Sequence, residues 1–367
     1  MSEQIDRERR RILEKATLGV AAMDLALSAR ATPPAQTTSI QTPAQAASPG
    51  PSAEPVPPSS SQRLEPLKHV DAGVLNIAYY EAGPASGPVA ILLHGFPFDI
   101  HSYVDVAPML VAKGCRVIVP YLRGYGPTRF RDSSTPRSGE QAAMGADVIA
   151  LMDAIGVKRA IVGGYDWGGR ASCVAAALWP DRIAGLVSVN SYNIIDVSRA
   201  LIPGKPEREA AIWYQWYFHT ERGRAGLTTY RREIAKLLWK QWSPHWQFDN
   251  ATFERTAVAF DNPDFVDIVI HSYRHRFGLV PGDPQYADLE RRLAALPPIR
   301  VPAITLDGDS DGVIPASDGK ASAARFTGPR THHVVHGAGH NLPQEAPDAF
   351  ASAVMELLHS SGHSVGI

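Results

Sequence analysis

The chain has 367 residues, 44% hydrophobic and 20% charged, with a formal net charge of −1. This balance excludes a disordered or fibrous chain and leaves ample apolar material for a buried core. It offers no electrostatic footprint for nucleic acid or an anionic membrane, and no run approaches the roughly 20 apolar residues of a membrane span, so the expected partner is a small, uncharged, apolar molecule.

In chain order, Arg9, Arg10 and Arg11 precede an Ala/Leu-rich segment that ends in a small-residue pattern at Ala31, the layout of an export signal over residues 1–31. The arginines followed by Ile12 and Leu13 resemble a twin-arginine signal, so an exported or periplasmic location is expected. Glu14, Lys15 and Asp24 interrupt the apolar stretch, and an amphipathic helix on a cytoplasmic protein is the alternative. Residues 32–66 shift to Pro, Ala, Ser and Thr, too little apolar area to offset chain entropy, which predicts a flexible linker.

From residue 67 short β-like runs alternate with helix-like segments, the pattern of an α/β domain with a mostly parallel sheet. "VLNIAYYEA" reads as an early strand, "PVAILLHG" as a buried central one and "CRVIVPYLRG" as the next. "GEQAAMGADVIALMDAIGV" carries helical periodicity, "RAIVGGYD" is a strand, and "IAGLVSVNS" is another. Over residues 192–298 the alternation gives way to Trp-, Tyr-, Arg- and His-rich helical patterns, and strands resume in "VPAITLDGDSDG" and "THHVVHGAGH". A core of 67–191 and 299–367, flanked by helices and split by a helical cap over 192–298, is expected, with ligand bound under the cap at the carboxyl ends of the strands. Cys115 and Cys173 sit in apolar surroundings and read as free thiols.

Strand exits supply three reactive groups. "GGYDWGGR" is a strand, a sharp glycine-flanked turn and a helix, with Asp166 where such a turn presents a nucleophile. "LDGDSDGVIP" offers Asp307, Asp309 and Asp311; Asp311 is the chosen acid, and the other two read as turn formers. His340 in "HGAGHNLPQEAP" is the base, while His332, His333 and His336 fall in or beside a strand pattern. In "LLHGFP" the turn after the central strand can aim the Phe96 N–H at the reaction centre, and with the Trp167 N–H it would form an oxyanion hole. A carboxylate displaces at saturated carbon and gives an alkyl ester, so Asp166 points to epoxides or alkyl halides, with His340 held by Asp311 activating water to cleave the ester. No metal or cofactor motif is read, and the oligomeric state is left open.

The chain from about Leu67 onward resembles the α/β-hydrolase superfamily, and "HGFP", "GYDWGGR", "GDSDG" and "GAGHNLPQEAP" resemble its epoxide hydrolase and dehalogenase branch. The resemblance implies two cap tyrosines that hydrogen-bond the epoxide oxygen: Tyr214, in "WYQWYFHTERG", and Tyr273, in "VIHSYRHRFG". Phe98 and Trp216 are expected to contact substrate. Haloalkane dehalogenases also place Trp after the nucleophile, as Trp167 is, yet often carry Asn where Phe96 stands. Fluoroacetate dehalogenases match Trp216, Tyr273 and Arg170 but have arginine in place of Trp167 and histidine in place of Gln215, so Arg170 is expected to be a supporting residue. Epoxide hydrolysis is therefore the leading expectation, a haloalkane or haloacid dehalogenase the alternative, and a non-catalytic binding protein on the same fold a third. Tyr121 stands where relatives tend to have Asp, and no role is read for it.

Overall fold

The computed structural model describes residues 63–360. The export-signal reading of 1–31 and the linker reading up to residue 62 lie outside the described residues. Within the span read as linker, Leu64 is described and is only 2% exposed, packed with the core ahead of the first strand.

One mixed sheet runs in the order β1-β2-β4-β3-β6-β7-β8-β9, with a two-residue β5 paired to β2. The strands are β1 (Leu67–Ala72), β2 (Leu75–Ala82), β3 (Val89–Leu93), β4 (Arg116–Pro120), β5 (Arg129–Phe130), β6 (Ala160–Gly164), β7 (Ile183–Val189), β8 (Ala303–Gly308) and β9 (Arg330–Val335). From β4 across to β9 all neighbours are parallel, and β1, β2 and β5 add antiparallel pairs at one edge. Strands β6, β7 and β8 are buried along their whole length, which is why they read as continuous apolar runs.

The core helices are α1 (Val106–Ala112), α2 (Gln141–Ala154) and α3 (Asp166–Leu178), and after the last strands α10 (Lys320–Ala323), α11 (Leu342–Glu345) and α12 (Pro347–Ser360). Between β7 and β8 the described chain forms α4 (Pro206–Ala211), α5 (Trp213–Phe218), α6 (Glu221–Trp242), α7 (Asn250–Ala257), α8 (Phe265–His275) and α9 (Ala287–Ala294), with no strand. This all-helical insertion falls where the sequence loses its alternation.

Pairing register sets the site. Leu92 and Leu93 of β3 face Gly163 and Gly164 of β6, so the turns leaving these strands, with Phe96 and Asp166, emerge side by side. Gly308 of β8 faces Val335 of β9, which sends the loops bearing Asp311 and His340 out together. Since β3 continues to β4 on one side and pairs with β6 on the other, the chain reverses direction here, the position at which open α/β sheets bind ligands.

Candidate active site

Asp166 has φ of 48°, a left-handed conformation that an aspartate adopts at the cost of backbone strain and that lifts its carboxylate above the sheet. The flanking glycines make the turn possible. A Cβ on Gly168 would lie 1.9 Å from the Leu93 carbonyl oxygen, and one on Gly164 would lie 2.4 Å from the Gly168 backbone. The Phe96 N–H donates to Asp166 Oδ1 at 2.8 Å. Trp167 follows in the first turn of α3, where backbone N–H groups have no partner within the helix. His94 fixes the opposing turn: its Nε2 accepts the Leu122 N–H at 3.1 Å, so Nδ1 carries the proton and donates to the Gly95 carbonyl at 3.0 Å. Burial pushes this imidazole down to about 4, and it stays neutral.

His340 is 1% exposed and lies between two carboxylates. Its Nδ1 is 2.8 Å from Asp311 Oδ2, and its Nε2 faces Asp166 Oδ2 at 3.6 Å. Asp311 is itself held by the N–H groups of Val313 and Ile314, both at 2.8 Å to Oδ1, and by Asn190 Nδ2 at 3.4 Å to Oδ2. The competing acids go elsewhere: Asp307 accepts from Ser317, and Asp309 pairs with His336 at the surface. Cap and core meet at this loop. The Trp242 carbonyl accepts from Gly312 N at 2.9 Å and His340 N at 3.3 Å, Ser243 Oγ accepts from His340 N at 3.1 Å, and Glu345 takes the N–H groups of Gly339 and Asn341.

Burial opposes charge on both reactive groups, yet each keeps its charge through its neighbours. For His340 burial is outweighed by the charge of Asp311 and by the contact with Asp166, which push it up to about 10. For Asp166 burial is outweighed first by His340, then by Arg170 and the Phe96 N–H, and its pKa lies below the ordinary carboxylate value. The resting pair is thus carboxylate and imidazolium.

Tyr214 and Tyr273 come together from α5 and α8, with ring centroids 5.3 Å apart and edge to face. Both are buried, and both are kept protonated by burial, Asp166 adding to the effect. The Tyr214 hydroxyl accepts from Gln215 Nε2 at 2.9 Å, and the Tyr273 hydroxyl, which faces it, makes no well-formed hydrogen bond among the described residues. Phe96 stacks on Trp167 and Tyr214 and meets Tyr273 edge-on, forming an aromatic wall beside Asp166.

A cleft of about 600 Å³ reaches this point, lined by Asp166, Arg170, Tyr214, Gln215, Trp216, Arg276 and His340 among others. Trp216, 38% exposed, stands on its wall as expected. Phe98 does not: it is 1% exposed, stacks on Trp239 at 4.7 Å and packs against Tyr165, because the turn after Pro97 directs it into the core–cap seam. Tyr121, without an assigned role in the sequence, packs over Gly126 and lines a separate surface cleft. Arg170 also departs from expectation by facing the main cleft. Asn190, Glu345 and Arg276 were not singled out from sequence: Asn190 acts on a partner distant in the chain, and no motif marks the other two.

The profile of the family described as "alpha/beta hydrolase fold" matches residues 88–347. The chain is 27% identical over 317 residues to Epoxide hydrolase A of Mycobacterium tuberculosis, covering 79% of this chain and 96% of that protein. It is 34% identical over 153 residues to Epoxide hydrolase B of the same organism, spanning 37% of this chain and 41% of that one. A crystal structure of a candidate epoxide hydrolase from Klebsiella pneumoniae superposes with a TM-score of 0.78 at 50% identity, covering 79% of this chain and 96% of that chain. The chain belongs to the α/β hydrolase fold family, within its epoxide hydrolase branch.

Proposed function

We propose that this chain hydrolyses epoxides to vicinal diols through an alkyl ester on Asp166. The observation that carries the reading is the pair of buried, protonated phenols, Tyr214 and Tyr273, within electrostatic reach of a carboxylate nucleophile. A phenol is well matched to the alkoxide released when a strained ring opens, and neither donor would serve a departing halide better than an indole N–H.

In this reading the two oxygens of Asp166 have different tasks. Oδ1 already accepts the Phe96 N–H and becomes the ester carbonyl oxygen; Oδ2 attacks a ring carbon. The ring C–O bond breaks with its electron pair on oxygen, and a tyrosine hydroxyl donates the proton. The phenolate is reprotonated at the expense of the His340 imidazolium. Once Asp166 is an ester its negative charge is gone, which removes one of the two carboxylates that hold the His340 pKa high and leaves it a competent base. Water then adds to the Asp166 carbonyl carbon as His340 Nε2 takes its proton, and the oxyanion is stabilised by the N–H groups of Phe96 and Trp167. Collapse expels the diol oxygen, protonated by His340. The regenerated carboxyl group returns its proton to His340, which closes the cycle at one epoxide and one water per diol.

A second reading, dehalogenation, is favoured by one feature: the indole Nε1 atoms of Trp167 and Trp242 are buried without hydrogen-bond partners, as a halide site needs. Assaying diol formation from aryl and alkyl epoxides beside halide release from haloalkanes and haloacids separates the two. Diols without halide are expected; halide release with no epoxide turnover would reverse the assignment. The intact Asp166, Asp311 and His340 arrangement argues against a binding protein without catalysis.

A further inference from the structure

Arg170 lies one helical turn after Asp166 on α3, on the same face and therefore beside the nucleophile in the cleft. Its Nε and Nη1 are buried and without hydrogen-bond partners, and it forms no ion pair among the described residues. Burial and the proximity of Arg276 depress its pKa to about 10, so the fold holds two like charges together at a cost. Arg276, at the C-terminal end of α8, also has no acidic partner among the described residues: it donates to the carbonyl and hydroxyl of Ser272 and lies 4.2 Å over the ring of Tyr273. Glu140, which lines a narrow crevice with both arginines, accepts the Asp283 N–H through Oε1; its Oε2 sits 3.7 Å from His271 Nδ1 without a hydrogen bond, and it forms no ion pair with either arginine among the described residues. Asp166, Asp311 and His340 together carry one net negative charge against the two positive charges of Arg170 and Arg276, and Asp196 and Glu209 balance Arg199 and Arg208 along the same cleft, so the inner cleft keeps one positive charge in excess.

We infer that Arg170 and Arg276 form an anion subsite next to the reaction centre, and that the preferred substrates are epoxides bearing a carboxylate close to the oxirane ring. The substrate class rests on the epoxide reading; the anion subsite itself does not. A carboxylate there would satisfy the buried donors of Arg170 and relieve the repulsion between the arginines. It would also orient the ring, because Arg276 is stacked on Tyr273, one of the two proposed proton donors. The near-neutral net charge of the chain conceals this local imbalance, so the uncharged substrate suggested by composition is replaced by an apolar body with one anionic group.

The test uses trans-3-phenylglycidate and its primary amide as matched substrates of the full chain. Hydrogen bonds to a charged group are worth about 1.5–3 kcal/mol, so the acid should exceed the amide in kcat/KM by about 10- to 100-fold. Arg170→Met and Arg276→Met should each bring this ratio toward unity, mainly through KM for the acid. A purely structural role would lower both substrates together and leave the ratio intact. Calorimetric binding of cinnamate and cinnamamide, which lack the oxirane, reads the subsite without turnover: cinnamate should bind at least 10-fold more tightly, and the advantage should vanish in both variants. Epoxide turnover with no preference for acid or cinnamate overturns the anion subsite and leaves the epoxide reading standing. Cinnamate binding through the arginines without opening of any epoxide does the reverse.

Discussion

At the scale of single residues, the account turns on which proton each group holds. In the proposed mechanism Tyr214 and Tyr273 act only as the ring oxygen becomes alkoxide, so replacing either with Phe should slow alkylation of Asp166 and spare cleavage of an ester already formed. General acid assistance is worth about 100- to 10,000-fold; two phenols partly replace each other, so single variants should sit near the low end and the double variant far below. Rapid-quench measurement of ester formation checks this, and a double variant alkylated at the parent rate would remove both tyrosines from the mechanism. His340 carries a separate expectation. Its folded pKa, about 10, lies above the ordinary value of 6.5, so folding favours the protonated form. That stabilisation is full below about pH 6.5 and is lost as pH rises through about 10. The difference in melting temperature between parent and His340→Gln should therefore shrink from pH 7 to pH 10, and a constant difference would contradict the ion pair. Asp166, Asp311 and His340 were legible in sequence because glycine turns and strand exits mark their backbone positions. Phe98 was misread and Arg276 missed because a motif says nothing of which way a neighbouring side chain faces.

At the scale of elements, the strand–turn–helix unit around Asp166 depends on close backbone approach. Gly168→Ala would place a Cβ 1.9 Å from the Leu93 carbonyl oxygen, and backbone on both sides leaves nothing flexible to yield. The loss should be about 3 kcal/mol or more, read by denaturant unfolding. Gly278→Ala is the control: its φ of +70° is unfavourable for alanine, yet a Cβ there meets nothing within 4 Å, so about 1 kcal/mol is expected. Equal losses at the two sites would show that steric closure of the elbow is not what the glycine supplies. The strands nearest the site were readable because burial on both faces makes them continuous apolar runs. Strand β1, "LKHVDA", was missed for the opposite reason: it is an edge strand, largely exposed, with no alternation to betray it. The all-helical insertion was legible from loss of alternation, but its grip on the His340 loop through the carbonyl of Trp242 is a backbone contact, invisible to any pattern of side chains.

At the scale of the whole molecule, the proposed mechanism draws its nucleophile, acid and base from three strand exits of the sheet, while the insertion supplies the phenols and, by our inference, one of two arginines. The proposed chemistry is thus divided between parts of the chain, and the proposed ester on Asp166 is the intermediate that would join them. The most direct test is a single turnover in heavy-oxygen water with enzyme in excess over epoxide, followed by mass spectrometry of the peptide containing Asp166 and of the diol. The account predicts one heavy oxygen in Asp166 and none in the diol, because the diol oxygen comes from Asp166 Oδ2 and water attacks the ester carbonyl. In His340→Gln the ester should instead accumulate on Asp166. A diol that carries the label from the first turnover, with Asp166 unlabelled, would mean that water attacks the epoxide directly and would contradict the mechanism.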